Sequence, residues 1–143
     1  MINSVSVPVQ TVNANGIVIF STDRVRSNRC NGCNGGWLYH DIGSGQFQLV
    51  NKSCNTSVFE ISFNANVTSA TTGALDFAIQ SNGEAIGGTE MITTIDTADA
   101  YENISASTLV KVPSGASTTI SVTNISTLVA LVEDANIMIA KVC

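Results

Sequence analysis

Apolar and polar residues alternate with a period of two along most of the chain, and no window of useful length repeats apolar residues at i, i+3, i+4 and i+7. From Val58 to Val67 the alternation puts Phe59, Ile61, Phe63, Ala65 and Val67 on one side and Glu60, Ser62, Asn64 and Asn66 on the other, a strand with one wet face. Leu75, Phe77 and Ile79 oppose Ala74, Asp76, Ala78 and Gln80 in the same way. The pattern predicts strands over Val5 to Val12, Gly16 to Phe20, Trp37 to His40, Gln46 to Val50, Val58 to Val67, Ala74 to Gln80, Glu84 to Thr94, Tyr101 to Val112, Thr118 to Thr123 and Ala135 to Val142. Gly43-Ser44-Gly45, Asn82-Gly83 and Pro113-Ser114-Gly115 supply the turn chemistry between them, Asn82-Gly83 being the sharpest hairpin signal. Ile137 to Ala140 is apolar on both faces, which predicts a strand that is central or lies beneath a neighbouring subunit.

About ten short strands at near-even spacing predict an all-β fold, a two-sheet antiparallel jelly-roll sandwich. A length of 143 residues suits one domain. Pro8 marks residues 1–15 as an extended N-terminal arm ahead of a single jelly-roll domain over 16–143, because proline cannot donate to a central ladder. Such an arm could add main-chain hydrogen bonds to another protein's sheet edge. Charged residues make up only 12% of the chain against 44% hydrophobic, so Ser, Thr and Asn must fill the solvent-facing positions. A net charge of −5 leaves no basic footprint for nucleic acid. No run of residues has the length and apolarity of a membrane helix. The opening MINSVSVPVQTV has neither a basic n-region nor an apolar h-region, so Sec export is not expected.

From about Gly35 to Cys143 the chain resembles the trimeric jelly-roll family of the tumour necrosis factor and C1q globular heads, in particular its bacterial and phage branch. The resemblance is carried by VFEISFNANV at an aromatic-rich strand, the hairpin ALDFAIQSNGEAI, the pair YENISASTLVKVPSGASTTISVTN and the closing ANIMIAKVC. It implies a homotrimeric, non-enzymatic structural protein of the virion surface, a phage head-decoration or fibre protein made in a host cytoplasm and attached to its capsid or surface-layer protein through the arm. The alternatives are a carbohydrate-binding or adhesive module recognising a host-surface glycan, and a spore-surface tip. Trp37, Tyr39 and Tyr101 are the aromatics open to the adhesive reading, with Trp37 and Tyr39 expected on one strand face.

Chemistry-bearing residues are few. Cys30-Asn31-Gly32-Cys33 is a C-x-x-C that His40 and Cys54 could complete as a structural Cys₃His zinc set, while a disulfide or free thiols fit the same residues equally well. No other cofactor is expected. His40 is the sole histidine, and with Asp41 expected on the opposite side it has no evident orienting partner, so a nucleophile–base arrangement with Ser44 or Cys33 is not expected. Asp96, Asp99, Glu102, Glu133 and Asp134 are candidate calcium ligands without the register of a calcium loop. Arg24, Arg26 and Arg29 form the one basic cluster, suited to an acidic protein surface. Asn51, Asn55, Asn66, Asn103 and Asn124 head N-x-S/T sequons, as a chain rich in these residues produces by chance.

Overall fold

The computed structural model describes residues 1–27 and 36–142, and every element among them is a β-strand. In chain order these are β1 (Ile2–Ser6), β2 (Gln10–Val12), β3 (Thr22–Arg26), β4 (Leu38–Tyr39), β5 (Phe47–Val50), β6 (Ser57–Thr68), β7 (Gly73–Ser81), β8 (Glu84–Ala85), β9 (Met91–Ile95), β10 (Glu102–Val112), β11 (Ser117–Asn124) and β12 (Ala130–Lys141). They form two antiparallel sheets. The first runs β10-β6-β12-β1-β3 with β2 also on β12, and the second runs β4-β5-β11-β7-β8 with β9 also on β7.

The apolar sides of the alternating strands meet between the sheets. Phe59, Ile61, Phe63, Ile137 and Ile139 from the first sheet join Phe47, Leu49, Phe77, Ile79, Ile120 and Val122 from the second in one buried cluster. Phe20 packs edge-on against Phe47 and Phe63, with ring centroids 5.4 and 6.4 Å apart. Such edge-to-face contacts add to the area each ring removes from water. β12 lies between β6 and β1, as the two-faced apolar run Ile137 to Ala140 predicts. Ile137 and Ile139 point into the core, while Met138 and Ala140 are half-buried on the outer face.

Residues 1–12 are not a free arm. β1 is hydrogen-bonded to β12 on one side, from Ile2↔Ile139 to Ser6↔Ala135, and to β3 on the other. Pro8 acts locally instead: it breaks the expected strand Val5 to Val12 into β1 and β2, two successive neighbours of β12, and β12 bulges between Glu133 and Asn136 opposite the break. Glu84 to Thr94 likewise divides into β8 and β9 around Gly87-Gly88. There the Thr89 hydroxyl fills the gap in the ladder, accepting from Ile79 N at 3.2 Å and donating to Ile86 O at 2.7 Å. Gly16 to Phe20 forms no ladder, because its backbone is shared among partners. Val18 N donates to Val122 O, Ile19 pairs with the Gln10 side-chain amide at 2.9 Å in both directions, and Phe20 N donates to Ser44 O. The Asn82-Gly83 hairpin forms as expected, with φ of 51° and 84° at the two turn residues.

Candidate functional site

Alternation assigns the outward residues of the first sheet, and the register sets them in transverse rows. Asn3, Met138, Ser62 and Ser107 form one row across β1, β12, β6 and β10; Val5, Asn136, Asn64 and Ser105 form the next; Ala140, Glu60 and Leu109 form a third. Along β6, β10 and β12 alternation puts Glu60, Lys111 and Glu133 on this face outside the first two rows, while the exposed Arg24 lies on β3 at the sheet's edge and the exposed Asp134 in the β12 bulge. Asn3 Nδ2 donates to Asn136 Oδ1 and to Ile137 O at 3.1 Å, and Asn103 Nδ2 donates to Asn66 Oδ1 at 3.1 Å, which holds the amides flat along the sheet. A depression of about 200 Å³ opens between β6 and β10, lined by Glu60, Ser107, Thr108 and Leu109.

The outer face of the second sheet carries a groove of about 340 Å³ lined by Tyr39, His40, Asp41, Ser44, Gln46, Gln48 and Thr119. Its end is fixed from beneath. The His40 ring is fully buried and stacked on Phe47 at 4.1 Å, with Nδ1 3.1 Å from Asp23 Oδ1 and Nε2 3.1 Å from Ser44 O. Asp23 Oδ2 also accepts from Arg26 at 3.2 Å, and Arg26 donates to His40 O at 3.0 Å. His40 is therefore a satisfied core histidine whose orienting carboxylate is Asp23 rather than Asp41. That partner escapes a sequence reading because it lies on β3, a stretch with no alternation of its own. The ring faces the Ser44 carbonyl and not its hydroxyl, so this is not the geometry of a nucleophile and its base.

The proposed zinc ligands separate into unlike environments. Both His40 nitrogens face oxygen acceptors within the fold, Cys54 is exposed in the loop between β5 and β6, and Cys30 and Cys33 lie outside the described residues. Of the basic cluster, Arg26 is spent on the Asp23–His40 contacts, Arg24 is exposed and Arg29 lies outside the described residues. Of the calcium candidates, Glu133 and Asp99 are gathered around Tyr101, whose hydroxyl is pushed above the usual tyrosine range by desolvation and then by these carboxylates. Among the described residues no three His, Cys, Asp or Glu side chains converge as a metal site. Trp37 and Tyr39 do not share a face: Trp37 packs on Phe59 in the core at 5.2 Å, whereas Tyr39 is 44% exposed.

Two of the sequons are structural. Asn51 Nδ2 donates to Asn55 O at 2.7 Å and Val112 O at 2.8 Å, while its Oδ1 accepts from Ser53 N and Oγ. Asn124 repeats the arrangement, donating to Val12 O and Leu128 O and accepting from Ser126 N and Oγ. The serine of the motif closes a turn on its own asparagine, which leaves neither amide free for a glycan.

No family model matches the sequence, and no curated protein sequence matches it. Solved structures do. The globular domain of zebrafish complement 1qA protein aligns with a TM-score of 0.62 at 11% identity, over 96% of this chain and 94% of that one. The Eiger TNF of S. frugiperda aligns with a TM-score of 0.67 at 8% identity, over 99% and 92%. The chain thus has the two-sheet jelly-roll fold of the C1q and TNF globular domains.

Proposed function

We propose that the chain is a non-enzymatic structural protein of a phage particle, a homotrimeric jelly roll that decorates or projects from the capsid. The observation that carries this reading is the outer face of the first sheet. Interface cores are depleted in charge, and the central rows of Asn, Ser, Met138 and Val5 carry none. Leu109, 62% exposed beside the depression at Glu60 and Ser107, offers an apolar contact that an isolated subunit leaves in water. A closed three-fold ring of heterologous contacts covers such a face on every subunit, and it is the arrangement of the family that the sequence resembles. The phage assignment rests on that resemblance in the sequence. Attachment to the capsid cannot use residues 1–12 as a loose strand, since they are built into the sheet, and must use a folded surface. Electron microscopy of the native particle tests the reading. Three-fold density of this chain on an icosahedral shell is expected, and its absence from purified particles would contradict the assignment.

A further inference from the structure

We infer that the groove on the second sheet is a binding site for a neutral pyranose sugar. Tyr39, Gln48 and Thr119 stand directly opposite one another across β4, β5 and β11, so an aromatic ring, a primary amide and a hydroxyl form one row. Gln46 extends the row along the β5 side, and Asp41 and Ser44 close the end. Among the described residues the side-chain amides of Gln46 and Gln48 have no hydrogen-bond partner, so their donors and acceptors are open to a ligand.

The closed end of the groove and its aromatic ring are held in shape before anything enters. Ser44 N donates to Asp41 O at 2.9 Å, Ser44 Oγ accepts from Gln46 N at 3.0 Å, and Ser44 O meets the buried His40 ring. Lys52 Nζ donates to the Tyr39 hydroxyl at 3.1 Å, which restrains the ring from its far end. A preformed site loses less ordering entropy when it binds.

The chemistry selects the ligand. An amide presents a donor and an acceptor side by side, which matches a pair of vicinal hydroxyls, each able to do both. An exposed tyrosine ring offers a flat apolar surface to the C–H face of a pyranose. Asp41 at one end and the Lys52 ammonium beside the Tyr39 hydroxyl offset one another, so the site carries no net charge to favour an ionic ligand, and the wealth of polar groups gives an apolar one nothing in return for desolvating them. At about 340 Å³ the groove is near the small end of ligand sites, room for one or two sugar rings. The inference extends the structural role above and stands whether or not the chain trimerises.

Saturation-transfer NMR on the full chain, titrated with the methyl glycosides of glucose, galactose, mannose and N-acetylglucosamine to tens of millimolar, tests it. At least one should bind saturably, and Tyr39→Ala and Gln48→Ala should each weaken it by about fivefold or more, as removal of a principal contact does. Tyr39→Phe, which keeps the ring, should retain most of the binding, and it carries the test with Gln48→Ala if Tyr39→Ala does not fold. Saturable binding by none of the four, binding unchanged in the variants, or a preference for N-acetylneuraminic acid would each overturn the inference.

Discussion

Two asparagines show how much one side chain can hold in a chain with few charges. Asn51 and Asn124 are buried with donors and acceptors fully used, each tying a loop to a backbone carbonyl far along the chain. Replacing either with Ala strands several buried partners and should cost about 2–4 kcal/mol. Urea unfolding measures this, and a loss below about 0.5 kcal/mol would show that water replaces the bonds. As sequence they read as sequons, because what sets them apart is burial, which the local motif does not encode. Asp76 is a second case. Its Oδ1 has no partner among the described residues, and burial, with the Glu90 carboxyl beside it, pushes it up to about 6. The folded state thus holds this proton more tightly than the unfolded chain. Its contribution to stability is present at low pH and lost as pH rises through about 6. Asp76→Asn should therefore gain stability relative to the parent as pH rises from about 4 to about 6 and keep that gain above it, and a thermal-melt difference that does not change with pH would contradict this.

At the scale of strands, the period-two signal located the elements that are half-buried and failed where the burial signal or the continuity was missing. β6, β7, β10 and β11 lie within a residue or two of their expected ends. The alternation predicts no strand over Thr22–Arg26, which has no period of two and is mostly exposed. It is a strand because β1 offers it an open edge and Asp23 ties it to His40. Register is equally invisible in sequence, which is why the row Tyr39–Gln48–Thr119 could not be foreseen from residues far apart in the chain. Two variants probe these points. Removing residues 1–6 takes a strand from the middle of the first sheet, so the chain should lose cooperative unfolding in circular dichroism; a cooperative melt near that of the parent would restore the arm. Gly45→Ala would place a Cβ 2.4 Å from Val18 O, a backbone atom that cannot swing aside. It should destabilise by about 1–3 kcal/mol, and an unchanged unfolding midpoint would refute the close approach.

For the whole molecule, the central claim is that a jelly roll with so few charges completes its surface with copies of itself. Composition pointed to a neutral polar exterior, and the fold sorts that exterior into two unlike faces. One is flat and nearly charge-free across β1, β12, β6 and β10; the other is hollowed beside Tyr39. Ser62→Arg, at the centre of the flat face, would bury a charge between subunits without touching the core. It should give a folded monomer if that face is the interface. The most direct measurement is the mass of the parent chain in solution at micromolar concentration, by light scattering coupled to size exclusion. The account predicts three times the 14.9 kDa of one chain, falling to that single mass in Ser62→Arg; a parent chain that elutes at 14.9 kDa would contradict it.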